Sequence, residues 1–187
     1  MYKYFKRIMD FVASLTALII LSPLMALSAV LVKISDGGSV LFKQRRPGKD
    51  GKIFTVYKFR TMSEKTEDEN GRELSDVERM TKIGSFLRKT SLDELPQLFN
   101  ILKGDLSIVG PRPIMEVETK IYGKYKDMLL SVKPGLTGFW AANGRSDTSY
   151  KRRRAMEIYY VKNRSLLFDI KIIFKTVISV FKGEGAK

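Results

Sequence analysis

"FVASLTALIILSPLMALSAVLV", residues 11–32, is a run of 22 residues without a charge. That is long enough to cross a bilayer core of about 30 Å as one helix. Its reading decides the fold, because a crossing segment anchors an ordinary domain while one that turns back seats the whole chain on a single membrane face. Two features oppose a simple span. Ser22-Pro23 falls at the midpoint, where proline removes a backbone donor and crowds the preceding turn. Each half is then about 11 residues, or roughly 16 Å of helix. Both flanks are also basic, with Lys3, Lys6 and Arg7 before the run and Lys33, Lys43, Arg45 and Arg46 after it. The positive-inside tendency places both flanks on the cytoplasmic side, which a span cannot satisfy. The expectation is a re-entrant helix–break–helix hairpin over residues 1–37, broken at Ser22 and Pro23; a kinked spanning helix stays open. No clear polar region with a cleavage site follows, which speaks against a secretory signal.

The other end of the chain carries a second membrane signal. In "SLLFDIKIIFKTVISVFK" (165–182), Lys171, Lys175, Ser179 and Lys182 fall on one narrow helical stripe, and Leu166, Ile170, Ile173, Phe174, Val177 and Phe181 fill the remainder. Such a helix suits the headgroup boundary; a core-packed helix with one wet edge has the same pattern.

Between these ends, "SVLFKQRRPGKDGKIFTVYKFRTM" (39–62) reads as a β-hairpin with Asp50-Gly51 in the turn. Lys58 and Arg60 point to one side of its second strand and Ile53, Tyr57 and Phe59 to the other. Helical patterns follow, separated by "GDLSIVGPRP" (104–113), "KPGLTG" (133–138) and "NGRSD" (143–147). The fold class expected is α+β and mostly helical, with a small β-hairpin and interfacial amphipathic helices. Residues 38–187 form the body of what is, at 187 residues, most simply one domain.

Composition narrows the chemistry. Cys and His are both absent, so there is no thiolate nucleophile, imidazole base or His-ligated zinc. Catalysis must run on carboxylates, Lys, hydroxyls or an oxygen-bound metal such as Mg²⁺. The 34 Lys and Arg outnumber the 20 Asp and Glu, a net charge of +14, which implies an anionic partner. Residues 64–82 nevertheless hold seven acids (Glu64, Glu67, Asp68, Glu69, Glu73, Asp76, Glu78) and read as a solvated loop or exposed helix. Neither a P-loop nor a G-x-G-x-x-G follows a strand, and zinc-finger and RNP-like patterns are missing. The basic run in "YKRRRAMEIYY" (150–160) reads as a solvated helix face.

"KTSLDELPQLFNILKGDLSIVGPRP" (89–113) sets two adjacent acids, Asp93 and Glu94, between Arg88 and Arg112. Ser91 as N-cap with Glu94 three residues on would be a capping box, worth about 1 kcal/mol. The cap leaves Asp93 unexplained. At a helix N-terminus its carboxylate would stay ionised at neutral pH. Lys58, Arg60, Arg88, Arg112 and Arg145 supply cations, and Arg forks match phosphate oxygens. A carboxylate ringed by such cations points to phosphoryl chemistry, with Asp93 as nucleophile, Mg²⁺ ligand or both.

These motifs together resemble the bacterial sugar transferase family, the monotopic phosphoglycosyl transferases. The likeness runs through the Ser22-Pro23 segment, "RRPGKDGKIFTVYKFRTM" (45–62), "TSLDELPQLFNILKGDLSIVGPRP" (90–113), "KPGLTG", "NGRSD" and "YYVKNRSLLFDIKIIFKTV" (159–177). It resembles the minimal form, without an added transmembrane bundle. The resemblance implies transfer of a sugar-1-phosphate from a UDP-sugar to undecaprenyl phosphate, at the cytoplasmic face of the bacterial inner membrane, as the first step of surface polysaccharide assembly. Asp93 would attack the β-phosphate, giving a phosphosugar-aspartyl enzyme and UMP in a ping-pong scheme. Glu94 would position or deprotonate the acceptor phosphate, or act as cap. Mg²⁺ would sit at Asp93, and Lys58, Arg88, Arg112 and Arg145 would hold phosphates. "GFWAANGRSD" (138–147) and "YYVKNRSLLFD" (159–169) resemble the branch using hexose-1-phosphates, galactose or glucose, more than the bacillosamine branch, while Ala141, Lys151 and Arg152 depart from the Gln and acids usual at those positions and leave the sugar open. Anionic membrane lipids are the further partners implied, nucleic acid is not among them, and homo-oligomer formation stays open.

Other readings stand beside this one. Asp93 could be only a metal ligand for direct transfer in a ternary complex. The chain could also be a non-catalytic scaffold, or a membrane-bound anion or nucleic-acid binder that leaves Asp93 and Glu94 idle.

Overall fold

The computed structural model describes residues 2–144 and 148–181. It begins with one long helix, α1 (Tyr2–Asp36), and here it departs from the helix–break–helix expectation: Ser22 and Pro23 lie inside uninterrupted helix. Pro23 offers no N–H to the carbonyl of Ile19, four residues earlier. The hydroxyl of Ser22 donates to that same carbonyl at 2.8 Å. The acceptor that proline would orphan is thus satisfied from the neighbouring side chain, and the helix continues.

Helix α1 lies along the body. Arg7 donates to the carbonyls of Ile101 and Leu102 at 2.6 and 2.7 Å, and Asp10 accepts from the Ile108 N–H at 3.0 Å. Leu18 and Leu21 pack on Leu98, Ile101 and Leu106, and Met25, Ala29 and Val32 on Phe59 and Leu87. These positions recur every three or four residues, so they form one face of the helix. From Arg7 to Val32 that face runs about 38 Å, more than the thickness of a bilayer core at about 30 Å. By length and composition α1 is long and apolar enough to cross a membrane, and it is attached to the body along that length.

The polarity of α1 is inverted. Its buried residues are Asp10, Ser14, Ser28 and Val32, while Ile8, Val12, Ile19, Ile20, Leu27 and Val30 are exposed. The last long helix, α8 (Leu166–Phe181), repeats this arrangement. Asp169, Ile172 and Ser179 are buried, whereas Leu167, Phe174, Val177 and Ile178 face outward. The expected wet stripe is therefore corrected at Ser179, which turns inward, while Lys171 and Lys175 stay exposed; Lys182 lies outside the described residues. A helix in water hides its apolar side; both of these present it.

The hairpin forms as expected from β1 (Leu41–Pro47) and β2 (Ile53–Phe59), antiparallel, with Leu41 opposite Phe59 and Pro47 opposite Ile53. Asp50 and Gly51 take φ of 56° and 73°, the left-handed geometry for which an Asp-Gly pair is suited. The acidic stretch is exposed and carries the short α2 (Asp76–Arg79), whose N-terminus is a capping box of Ser75 and Glu78. Next come α3 (Lys82–Thr90), α4 (Gln97–Lys103), β3 (Ser107–Val109), α5 (Thr119–Tyr122), α6 (Lys126–Leu130), β4 (Gly135–Thr137) and α7 (Tyr150–Asn163).

Strands β3 and β4 pair in parallel, Ser107 with Gly135 and Val109 with Thr137. A Cβ on Gly135 would lie 2.1 Å from the backbone nitrogen of Gly110, so only glycine allows "KPGLTG" to press against the turn that leads into Pro111-Arg112-Pro113. Gly84 has a matching role in α3, where a Cβ would meet the Thr61 carbonyl oxygen at 1.8 Å. That close approach sets α3, and with it Arg88, against the end of the hairpin.

Candidate active site

Ser91 closes α3 instead of opening the next helix. Its φ is 58°, its N–H bonds to the carbonyls of Arg88 and Leu87, and its side chain makes no cap hydrogen bond to the following turn. The capping box expected from Ser91 and Glu94 is therefore absent. A left-handed residue points its side chain away from the N–H groups that an N-cap must reach. The chain reverses there into a single 3-10 turn, Leu92–Glu94, and Pro96 then leads into α4.

This reversal places the two acids in different surroundings. Asp93 is 8 % exposed, and burial, reinforced by the charge of Glu94, pushes its carboxyl up to about 6, against the pull of Lys58 and Arg88. Asp93 still ionises below neutral pH, as expected, but a helix end does not favour its anion here: a buried single turn desolvates the carboxylate more than its few free N–H groups stabilise it. Glu94 Oε1 instead receives Lys58 Nζ at 2.7 Å. Arg88 is held by its Nε to Thr61 Oγ1 at 3.0 Å and by Nη2 to Met62 Sδ at 3.3 Å. Strand β2, helix α3 and the 3-10 turn thus bring Lys58, Arg88, Asp93 and Glu94 to one place, a convergence that the sequence could not show.

Arg112 belongs to a second group. Its N–H donates to Glu157 Oε1 at 3.1 Å, and its guanidinium lies 5.4 Å from the Trp140 ring centroid. Arg153 covers the same ring at 4.7 Å and pairs with Glu118 at 3.1 Å. Arg46 reaches Glu118 at 3.5 Å and the Pro113 carbonyl at 3.1 Å. Glu157 is 1 % exposed, and burial pushes it up to about 7. Among the described residues, Arg153 Nε and Nη2 and Glu157 Oε2 are buried without hydrogen-bond partners.

The hairpin connects the two groups. Arg46 lies opposite Phe54 and Lys58 opposite Phe42, so Arg46 and Lys58 share a sheet face, offset by four residues or about 13 Å. Arg145 lies outside the described residues. Arg60, collected with the cations from sequence, goes elsewhere: it is buried and ion-pairs with Asp36 at the end of α1 and with Glu64.

Sequence reasoning missed Arg46, Trp140, Arg153 and Glu157. The run 151–154 was read as solvated; Lys151 and Arg152 are exposed, but Arg153 is buried. The alternation of a helix face could have separated these neighbours, yet it could not name Trp140 as the partner.

No group of three or more acids that could enclose a metal occurs among the described residues. The pair Asp93 and Glu94 offers two carboxylates at most. That number suits a Mg²⁺ shared with substrate phosphates, which usually takes one or two carboxylates and keeps the rest of its shell for phosphate and water. The displaced acidity of Asp93 is consistent with a position where added positive charge would be favourable.

A family model described as bacterial sugar transferase matches residues 1–183. The exopolysaccharide production protein ExoY of Sinorhizobium fredii is 45% identical over 97% of this chain and 87% of its own length. The undecaprenyl-phosphate galactose phosphotransferase of Salmonella typhimurium is 42% identical over 98% of this chain, but only 42% of its own length is matched. A UDP-N-acetylgalactosamine-undecaprenyl-phosphate N-acetylgalactosaminephosphotransferase of Aeromonas hydrophila is 39% identical over 100% of this chain and 46% of its own length.

Proposed function

The chain belongs to the bacterial sugar transferase family, and we propose that it transfers a sugar-1-phosphate from a UDP-sugar to undecaprenyl phosphate, releasing UMP. The observation that carries this reading is the buried Asp93 carboxylate, set between Lys58 and Arg88 and next to the Lys58–Glu94 ion pair. A carboxylate stripped of water and flanked by cations is suited to attack phosphorus once those cations hold the phosphate oxygens.

In the first step an oxygen of Asp93 bonds to the β-phosphorus of the donor. The bond from that phosphorus to the bridging oxygen breaks, and UMP leaves with the electron pair. In the second step an oxygen of the lipid phosphate attacks the same phosphorus, which frees Asp93 and leaves a sugar diphospholipid. Lys58 and Arg88 hold the transferred phosphate. Glu94 fixes Lys58 and receives a proton from the incoming phosphate. We assign Arg112, with Arg145, to the nucleotide end of the donor. Mg²⁺ held by Asp93 together with the diphosphate would supply charge neutralisation.

Galactose or glucose type sugars are the proposed donors; galactose and N-acetylgalactosamine appear in the names of two relatives. The outward apolar faces of α1 and α8 support a seat in the cytoplasmic leaflet of the inner membrane, entered from one side without crossing. The acid pair would then lie at headgroup depth, where the lipid phosphate is, and the product would feed exopolysaccharide assembly.

The test is intact mass of the protein mixed with Mg²⁺ and each of several UDP-sugars, without lipid acceptor, beside Asp93→Asn. A covalent hexose-phosphate on the wild type alone establishes the aspartyl intermediate and names the sugar. UMP release only when undecaprenyl phosphate is present, with no adduct, would instead make Asp93 a metal ligand in a direct transfer.

A further inference from the structure

The amino-terminal end of α1 meets the junction of α7 and α8 far from the acid pair. Asp169, 3 % exposed, fastens them together by accepting from Tyr2 Oη at 2.8 Å, Lys6 Nζ at 2.7 Å and Tyr160 Oη at 2.7 Å. Over this fastening opens a cavity of about 500 Å³ lined by Tyr2, Phe5, Lys162, Arg164, Ser165 and Leu166. Its size is that of a small-molecule site. Asp93 belongs to the opposite end of α1, where Met25 and Ala29 pack near Leu92 and Leu95. From Phe5 to Met25 is about 30 Å of helix, so the cavity is separate from the active site.

Its lining combines two chemistries. Lys162 and Arg164 are both cationic, and among the described residues no carboxylate lines the cavity. Arg164 is oriented by a hydrogen bond from one guanidinium nitrogen to the Val161 carbonyl. Phe5 is 59% exposed and Leu167, beside the lining Leu166, is 65% exposed. These side chains continue the outward apolar faces of α1 and α8. A pair of cations in a pocket rimmed by residues that seek lipid suits a phosphodiester with acyl chains beside it.

We propose that this cavity binds the headgroup phosphate of an anionic phospholipid and so holds the far ends of α1 and α8 at the bilayer surface. This rests on the membrane seating proposed above. Lys162 and Arg164 contact the phosphate, while Phe5 and Leu166 lie against the first methylenes of the chains. The role of the site is anchoring: it fixes the tilt of α1 from the end opposite the catalytic acid.

The experiment measures partition of the 187-residue chain onto vesicles of phosphatidylcholine alone and onto vesicles with one third phosphatidylglycerol. The proteins compared are wild type, Lys162→Gln, Lys162→Gln with Arg164→Gln, and Lys126→Gln as an exposed cation elsewhere. Expected is a loss of about five-fold per cation removed from the cavity, only on the anionic vesicles, with Lys126→Gln close to wild type. Lys162→Gln keeps the test valid if loss of Arg164 disturbs the end of α7. Equal losses at Lys126 and Lys162 would overturn the site in favour of diffuse attraction. Inorganic phosphate that abolishes the difference at millimolar concentration would make the cavity a free-phosphate site and overturn the lipid assignment. Failure of the wild type to join even neutral vesicles would overturn the membrane seating itself, and this inference with it. Partition that is normal but blind to Lys162 would overturn this inference alone.

Discussion

Lys58 Nζ stands 2.7 Å from Glu94 Oε1, and its charge also lowers the pKa of the neighbouring Asp93, which the charge of Glu94 raises. One lysine therefore balances two acids, and the acidity of the buried one depends on how that balance is set. The pair itself is about a quarter to a third exposed, with side-chain values of 27% and 32%, so its direct contribution to stability is under about 1 kcal/mol.

That balance predicts opposite shifts from two substitutions. Glu94→Gln removes a charge that raises Asp93, so the acid limb of the pH–rate profile moves down by about one pH unit. Lys58→Met removes a charge that lowers Asp93, so the limb moves up by a similar amount. Both variants lose turnover. Rates of UMP release measured from pH 4.5 to 8 check the direction, and shifts of the same sign would refute the balance.

Asp93→Asn is predicted to abolish turnover and to stabilise the fold. The carboxyl is pushed up to about 6, so the folded protein holds the proton more tightly than the unfolded chain. Between the ordinary carboxylate pKa of about 4 and the raised value, stability falls as pH rises. Above pH 6 the whole penalty is present, up to about 3 kcal/mol. Asn removes it, and melting at pH 7.5 should rise by about 5 °C, with little gain at pH 4. A melting temperature lowered by the substitution would contradict the burial argument.

Glu157 is predicted to hold the turn that presents Arg112. Glu157→Ala leaves the Arg112 N–H without its acceptor and costs about 1–3 kcal/mol, while donor affinity weakens. Glu157→Gln keeps an acceptor and removes a carboxyl pushed up to about 7, so above pH 7 it melts no lower than wild type. Thermal unfolding and the KM for donor, measured on both variants, separate the two outcomes.

The membrane seating predicts that both ends of α1 face the same compartment. The chain has no Cys, so Lys3→Cys and Ser35→Cys each introduce a single thiol. An impermeant maleimide should label both from the cytoplasmic side and neither from outside. Labelling of one from each side would show that α1 crosses the bilayer.

Gly135→Ala is predicted to be strongly destabilising, because its Cβ would lie 2.1 Å from the Gly110 nitrogen and neither backbone can retreat within a paired strand. A loss of at least about 3 kcal/mol is expected, read from chemical denaturation.

Much of this protein was determined by the sequence alone, wherever the governing physics is local. The apolar run 11–32, the Asp50-Gly51 turn, the exposed acidic stretch and the amphipathic helix 166–181 all follow from nearest neighbours, backbone preference and periodicity. The types of residue at Lys58, Arg88, Asp93 and Glu94 and their flanking turns already indicated phosphoryl chemistry, but the meeting of these four was not legible. Other features depend on which surfaces meet. The left-handed turn at Ser91 and the burial of Asp93 came from docking α3 on the hairpin, and they raise the pKa of Asp93 where a helix N-terminus would lower it. Arg153 sits in a basic run whose neighbours are solvated, and only the fold places it over Trp140. Pro23 signals a break in any sequence; the Ser22 hydroxyl and the body along which α1 lies let the helix run on. Local rules assign each residue its preferences, but burial and charge are sums over neighbours distant in the chain, and only the tertiary structure decides those neighbours.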